Sequence, residues 1–146
     1  MNLRKRIALT LALVTLAGLT AVGASAETQL RGTFTLPVQA YWGNTLLPAG
    51  DYSLTLIRDI GNMTPSLVYV RGEGVSATFM APTSAEEEPT HSCLKLDDVN
   101  GTYVIRELDA GNPGKSYKFA VTKAVRNMTL RGSVATPVTV PVSGGF

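Results

Sequence analysis

The sequence contains few of the residues that carry most enzyme chemistry. Its 146 residues include a single cysteine, Cys93, and a single histidine, His91. With one cysteine, the chain cannot form an internal disulfide. With one histidine, it offers a single imidazole as a base for nucleophilic catalysis. Helical periodicity is also missing from the chain after residue 26, so the pattern does not favour a helical fold.

Cys93 and His91 are two residues apart, and on a strand they would share one face. A thiol–imidazole pair is therefore the nucleophilic arrangement that the sequence suggests, although no glycine-rich elbow and no third group accompany it. We expect no catalytic residues and a Cys93 thiol of no special reactivity, on the outward face of its strand. A thiol or hydrolytic enzyme that uses Cys93 and His91 is the remote alternative.

Charge is scarce and evenly balanced. Charged residues make up 16% of the chain, and three of its 13 Lys and Arg residues fall in the first six positions. Residues 27–146 then carry ten basic side chains against 11 acidic ones, so electrostatics give no reason to expect a nucleic acid partner. The acidic run Glu86–Glu88 lies on a predicted loop, where adjacent carboxylates cannot all converge on one ion. We therefore expect no metal and no cofactor.

The first 26 residues have the three parts of a secretory signal peptide. Arg4-Lys5-Arg6 is the basic region, residues 7–22 are mainly apolar, and Ala24-Ser25-Ala26 supplies small residues before Glu27. An uncleaved membrane anchor is the alternative, but the apolar stretch falls short of the about 20 strongly apolar residues of a spanning helix. We expect cleavage before Glu27, no membrane span afterwards, and a periplasmic or extracellular protein.

The segment from Leu46 to Leu56 organises the predicted fold. Pro48 and Gly50 favour a tight turn, and from Tyr52 onward apolar side chains alternate with hydroxyls, as in a strand with one buried face. Glycine followed by tyrosine at the start of a strand is typical of the tyrosine corner of β-sandwiches, where the phenol hydroxyl bonds to the backbone a few residues upstream. The alternative is that Tyr52 is an ordinary strand aromatic.

Two hairpins are predicted from turns that contain glycine. Asn100-Gly101 is the preferred sequence of a type I′ turn, in which both central residues need a positive φ, and Arg71-Gly72-Glu73-Gly74 joins two β-rich runs. Similar short strands recur along residues 27–134. We therefore predict one all-β domain, either a β-sandwich or a small open barrel of about seven short antiparallel strands, preceded by the signal-peptide helix.

Residues 135–146 are predicted to form a flexible tail outside the folded core. Pro137 and Pro141 each lack the N–H that a strand ladder needs, and Gly144-Gly145 adds chain entropy. The segment is uncharged and alternates valine with polar residues, so it can add itself as a strand to an exposed sheet edge on the same or a neighbouring molecule. We expect any self-association to use this tail.

Tyr41, Trp42 and Asn44 are the candidate ligand-binding residues. They lie in a predicted turn, where an exposed aromatic pair beside an amide side chain would form a platform for a sugar ring or a partner's side chain. The alternative is that Trp42 fills the core of a sandwich that has no disulfide. Carbohydrate or small-ligand binding through Tyr41 and Trp42 is therefore a second functional hypothesis.

Several of these residues belong to a wider motif. Leu36-Pro37, Trp42-Gly43 and Leu47-Pro48-Ala49-Gly50-Asp51-Tyr52, followed by Val70-Arg71-Gly72-Glu73-Gly74, resemble the core pattern of small uncharacterised exported bacterial β-proteins. The resemblance implies an exported β-fold and brings no activity and no site residues with it.

The first functional hypothesis follows from the signal peptide, the β-pattern and the lack of catalytic residues. It is an exported, non-catalytic β-sandwich module with a structural or interaction role at the bacterial envelope or outside the cell. Its partner, a protein or a glycan, is not identified by the sequence.

Overall fold

A computed structural model of the chain describes residues 28–58, 65–85, 89–112, 114–130 and 134–145. The predicted signal peptide and the acidic run Glu86–Glu88 lie outside these described residues. Most of the described chain is β-structure. Its strands and its one described helix are β1 (Thr28–Leu36), β2 (Ala40–Trp42), β3 (Thr45–Leu47), β4 (Gly50–Arg58), β5 (Ser66–Gly72), β6 (Val75–Ala81), β7 (Thr83–Ala85), β8 (Cys93–Val99), β9 (Thr102–Ala110), β10 (Lys115–Lys118), α1 (Lys123–Leu130), β11 (Ala135–Pro141) and β12 (Ser143–Gly144).

The strands form two sheets that share one core. Sheet A has five strands in the order β12-β1-β4-β5-β6, and sheet B has seven, with the main order β11-β8-β9-β10-β7. In sheet B, β2 runs parallel to the first part of β9 and pairs with β3 on its other side. Buried side chains from both sheets form a single hydrophobic cluster. The predicted all-β sandwich is therefore confirmed.

Two details of the predicted architecture are wrong. The expected number of about seven strands is too low, because β2, β3, β7 and β12 are only two or three residues long and cannot show a clear alternation. The helix α1 is also unexpected. It has eight residues, about two turns, which is too short for a helical period to stand out. Near the start of this helix, the N–H of Arg126 donates a hydrogen bond to the carbonyl of Thr122 at 2.9 Å.

Both predicted hairpins are present, each with a two-residue loop. Asn100 and Gly101 connect β8 to β9 with φ values of 54° and 80°, and Glu73 and Gly74 connect β5 to β6 with 45° and 73°. Positive φ at both central residues defines the type I′ turn. The first turn is supported by Asp98, whose Oδ1 accepts a hydrogen bond from Gly101 N–H at 2.7 Å. These turns set the register of both hairpins.

Tyr52 forms the predicted tyrosine corner. Its ring is buried, and its hydroxyl donates a hydrogen bond to the carbonyl oxygen of Pro48 at 2.8 Å. Gly50 begins β4 with a φ of 145°, and a Cβ there would collide with the Glu73 side chain. The hydroxyl bond ties the turn before β4 to the core, so it fixes the point at which this strand begins.

Trp42 occupies the centre of the core, between the sheets. Its side chain is 0% exposed, although it belongs to the short strand β2 of sheet B. Its ring stacks on Phe79 of sheet A at 4.5 Å between centroids, and it meets the edge of Phe119 at 4.8 Å. Phe34 of sheet A lies at 6.4 Å in a tilted arrangement. The alternative interpretation of Trp42, as the residue that fills the core, is confirmed.

The prediction of a flexible tail is wrong, because residues 135–141 form strand β11 at the edge of sheet B. The strand pairs with β8 over its whole length, and Val140 and Val142 are buried. The N–H of Val142 donates to the carbonyl of Ser92 at 2.9 Å, so the even-numbered residues direct their N–H groups toward β8. Pro137 and Pro141 are odd-numbered and therefore face the open edge, where a missing N–H breaks no ladder bond.

The end of the chain then crosses from sheet B to sheet A. Ser143 and Gly144 form β12, which pairs with Thr33 and Gly32 of β1. Gly144 has a φ of 135°, and a Cβ at this position would lie 2.6 Å from the carbonyl oxygen of Arg31. One continuous segment thus pairs with both sheets along the same side of the sandwich, and it is part of the folded domain.

The pairing of β11 predicts losses of stability of different size for alanine substitutions at two neighbouring residues. Val140→Ala should lower the free energy of unfolding by about 2 kcal/mol, because it removes buried methyl groups and leaves a cavity. Thr139→Ala removes an exposed side chain and should cost less than about 1 kcal/mol. Urea unfolding of both variants measures the difference. Equally small losses would place the segment outside the core.

Candidate functional site

The structure separates the predicted ligand-binding residues. Tyr41 and Trp42 lie on β2 and Asn44 in the tight turn to β3, so the predicted turn is a small hairpin. Alternation along β2 directs Trp42 into the core and leaves Tyr41 37% exposed. The prediction that Trp42 offers an exposed ring is therefore wrong, since a side chain at period two cannot share the face of its neighbour. Tyr41 and Asn44 remain together at the surface.

Tyr41 and Asn44 line a groove, here called the Tyr41 groove, of about 400 Å³. Three segments meet there, because the parallel pairing of β2 with β9 places the β2–β3 hairpin beside the start of β9, and the chain returns after β10 to begin α1. An aromatic ring, an amide, hydroxyls and an amino group are the groups with which pockets orient small polar ligands. The lining residues are Tyr41, Gly43, Asn44, Thr102, Thr122, Lys123 and Ala124.

A second cluster of polar side chains lies on the outward face of sheet B and contains Cys93. The β8–β9 register places Lys95 opposite Glu107 and Cys93 opposite Asp109, and Ser116 of β10 is opposite Asp109 on its other side. The Lys95 Nζ is 2.8 Å from Glu107 Oε1 and 2.8 Å from Asp109 Oδ2. The Ser116 hydroxyl donates to Asp109 Oδ1 at 2.5 Å. One cation thus bridges two carboxylates that face it across strands, and one negative charge remains in excess.

The charges of this cluster stabilise one another. Burial by itself would raise the pKa of Asp109, but hydrogen bonds from Lys95 and Ser116 outweigh it, and the pKa of this carboxyl lies below its ordinary value. The bonds to Asp109 and Glu107 raise the pKa of Lys95 well above its ordinary value. Both groups therefore stay ionised at neutral pH, and the cluster acts as a fixed cross-strand clamp.

The described contact of the Cys93 thiol is with a carboxylate. Its Sγ is 3.8 Å from Asp109 Oδ2, whereas His91 Nδ1 is 2.8 Å from the hydroxyl of its neighbour Thr90. Burial raises the pKa of the Cys93 thiol, and the negative charge of Asp109 raises it further. The thiolate, which is the nucleophilic form of cysteine, is therefore disfavoured at this position. This geometry supports the expectation of an unreactive thiol.

A third surface was not predicted from the sequence, and it is the outward face of sheet A. Two adjoining shallow grooves of about 520 and 590 Å³ cross it, and both are bordered by Thr33 of β1, Ser53 of β4 and Ser143 of β12. The sequence signal was present in the polar half of each alternating strand, where hydroxyls and arginines recur. The side-by-side placement of these strands is a long-range property, so the pattern of one strand did not indicate a site.

Other kinds of site are not seen in the described part of the chain. Within residues 28–58, 65–85, 89–112, 114–130 and 134–145, no group of three or more His, Cys, Asp and Glu side chains is placed to hold a metal ion. No helix among those residues is long and apolar enough to span a membrane.

Comparison of the chain with protein-family models, with curated proteins and with solved structures finds no match. Its function is therefore argued from the three surface regions described above.

The environment of Cys93 predicts an unusual pH dependence of alkylation. Because the pKa of the folded thiol is raised, its reaction with iodoacetamide should reach half of its maximal rate at a higher pH than in urea-unfolded protein. Asp109→Asn removes a nearby negative charge and should shift this midpoint down, whereas Lys95→Gln removes a positive charge and should shift it up. A folded-state midpoint at or below that of the unfolded chain would show that Cys93 is an activated thiol.

Proposed function

We propose that this protein is an exported, non-catalytic β-sandwich module that acts by contact, with a structural or interaction role at the bacterial envelope or outside the cell. The observation that carries the proposal is the pairing of Cys93 with Asp109. The Cys93 thiol, the one thiol of the chain, donates a hydrogen bond to the Asp109 carboxylate. The imidazole of His91, the one histidine, contacts Thr90. The thiol and the imidazole thus contact groups other than each other, which supports a non-catalytic role.

The surfaces of the sandwich support the interaction part of the proposal. Its inward rows are filled by a continuous hydrophobic core, while its outward concave regions are lined partly by hydroxyl, amide, guanidinium, amino and carboxylate groups. Groups of this kind bind partners through hydrogen bonds and charge without changing them chemically. The export part of the proposal depends on the signal-peptide pattern of residues 1–26.

A second candidate function is the binding of a sugar or another small polar ligand in the Tyr41 groove. The specific observation is that Tyr41 and Asn44 stay together at the surface and join Thr102 around a concave space of about 400 Å³. Tyr41 offers one ring face for stacking, and the amide and hydroxyl supply the directed hydrogen bonds that a sugar requires.

Fractionation of bacteria that produce the full chain tests the proposal. We expect the protein in the periplasm or medium with an intact mass that begins at Glu27, and we expect it to sediment with purified envelope material. Cys93→Ser should not change this association, because a hydroxyl can also donate to Asp109, and neither should His91→Ala.

Two results would contradict the proposal, and a third would redirect it. Cytoplasmic protein that retains residues 1–26 would remove the export claim, and loss of an activity in Cys93→Ser would remove the non-catalytic claim. A loss of envelope association specifically in Tyr41→Ala, with Met80→Ala as a control at an exposed position on β6, would favour ligand binding in the Tyr41 groove.

A further inference from the structure

The open edge of sheet A at β6 differs from the other sheet edges in the described part of the chain. Sheet A ends at β6 and at β12, and sheet B has its edges at β11, β7 and β3. Three of these edge strands, β3, β7 and β12, have only two or three residues. Strand β11 has seven residues, but Pro137 and Pro141 face its open side. Short strands and edge prolines are devices by which proteins prevent two sheets from pairing edge to edge.

Strand β6 has none of these devices. Its seven residues, Val75–Ala81, include no proline and no charged side chain, and valine, threonine and phenylalanine are residues that favour β-structure. Strand β5 lies on one side of it, and no strand of the described residues lies on the other. Strand β6 therefore presents a row of backbone N–H and C=O groups to another strand.

The hairpin turn determines which backbone groups of β6 face the open edge. Because the β5–β6 loop has two residues, Gly72 and Val75 on either side of it exchange hydrogen bonds. Along an antiparallel ladder, such bonded pairs alternate with unbonded ones. The odd-numbered residues of β6 are therefore bonded to β5. The even-numbered residues direct their N–H and C=O groups to the open edge, and they are Ser76, Thr78 and Met80.

The spacing of these three residues allows the strand to pair with its own copy. In an antiparallel pair about a two-fold axis, residue i of one copy is opposite residue j of the other, and j is opposite i. With Thr78 on the axis, the two Thr78 residues are opposite each other, and Ser76 of each copy is opposite Met80 of the other. All of these are pairs that exchange two hydrogen bonds, so about six hydrogen bonds join the copies.

Apolar side chains at this edge are partly uncovered in the single molecule. On the inward face, Val75 and Ala77 pack against the core but are only partly buried. On the outward face, Met80 is 57% exposed, and it continues a row that includes Ile57 of β4 and Leu67 of β5. A second strand beside β6 would cover side chains on both faces and remove apolar surface from water.

Charge does not oppose the contact of two copies. The charged residue of the adjacent strand β5 is Arg71, which is opposite Ser76. With Thr78 on the axis, the Cα atoms of the two Arg71 residues are three strand spacings apart across the sheet and four residues apart along it, roughly 20 Å in total. Charges at this distance are screened at physiological ionic strength, where the Debye length is about 8 Å.

We infer that two copies of this protein form a dimer by antiparallel pairing of their β6 strands about a two-fold axis at Thr78. The two five-stranded sheets then become one continuous sheet. The inference goes beyond the proposed function and does not depend on it. It also moves the expected site of self-association away from the C-terminal segment, because that segment pairs with β8 and β1 of its own molecule.

The size of the contact predicts a weak dimer. Paired strands of seven residues are about 24 Å long, and one such edge buries less than about 1,200 Å² in total, which is typical of transient complexes. The dimer should therefore form with rising protein concentration and dissociate on dilution.

Sedimentation velocity of the purified protein over a range of concentrations tests this inference, with a reducing agent present so that Cys93 cannot link copies. We expect a monomer–dimer equilibrium. Thr78→Lys places like charges opposite each other on the axis and should weaken dimerisation about fivefold or more at low salt, and Thr78→Glu should do the same. Because Thr78 is exposed, both variants should keep the fold. An equimolar mixture of the two variants should dimerise more strongly than either alone, because opposite charges then meet.

The matched control is Thr33→Lys. Thr33 is also an exposed threonine on the outward face of sheet A, but it lies on β1, three strands from the open edge of β6. This variant adds the same charge and should change dimerisation by less than about twofold.

Amide hydrogen exchange locates the contact within the strand. The N–H groups of Ser76, Thr78 and Met80 should exchange more slowly as the protein concentration rises, because they become bonded only in the dimer. The N–H of Ala77 should keep its rate, because it is already bonded to β5 in the single molecule.

Four results would each overturn the inference. The first is a protein that stays monomeric up to about 1 mM. The second is an equal effect of Thr78→Lys and Thr33→Lys, which would place the contact elsewhere. The third is a mixture of the two Thr78 variants that dimerises no better than either alone, which would remove Thr78 from the axis. The fourth is slower exchange at Thr78 only when envelope material is added, which would assign this edge to a different partner.

Discussion

The stack of Trp42 on Phe79 is the contact on which the rest of the sandwich depends. Trp42 belongs to sheet B and Phe79 to sheet A, and their rings are parallel within 1° at 4.5 Å. Phe119 and Phe34 close the remaining sides of the indole. Aromatic contacts of this type contribute about 0.5–1.5 kcal/mol each beyond the stabilisation from the area they bury. This aromatic group therefore joins the two sheets in a protein that has no internal disulfide. Trp42 lies on β2, and the parallel pairing of β2 with β9 holds its indole between the two sheets.

Because the interior is filled, a partner can contact only the outward side chains and the open edges of the two sheets. The outward side chains differ in charge and composition between the sheets. On sheet B Lys95 bridges Glu107 and Asp109, and these contacts link β8 to β9. On sheet A the outward rows hold many hydroxyls together with Arg31 and Arg71, and Asp51 and Glu73 lie at one end of the same face. The charges of the two faces are therefore arranged differently. The final segment, β11 and β12, pairs with both sheets and holds them in this relationship.

Local rules predicted the parts of the fold that are local. The type I′ turn at Asn100-Gly101 and the hydroxyl bond of Tyr52 depend on residues within four positions of one another, and both are present. Long-range pairing was the source of the errors. Pro137 and Pro141 exclude a central strand, but their even spacing also suits an edge strand, and only the neighbour β8 decides between these outcomes. The exposure of Trp42 could not be read from a three-residue strand. The grooves on the outward face of sheet A likewise arise from the order of the strands, which the sequence pattern of each strand does not contain.

Fluorescence of the single tryptophan tests the central claim, that Trp42 fills a closed core and that binding takes place outside it. We predict emission well to the blue of tryptophan in water, weak quenching by iodide, and a shift to the aqueous emission wavelength on unfolding in urea. Addition of neutral sugars should leave the emission of the folded protein unchanged, because the indole is 0% exposed. Aqueous-like emission with strong iodide quenching in the folded protein would contradict the account, since the two sheets would then not be joined through Trp42.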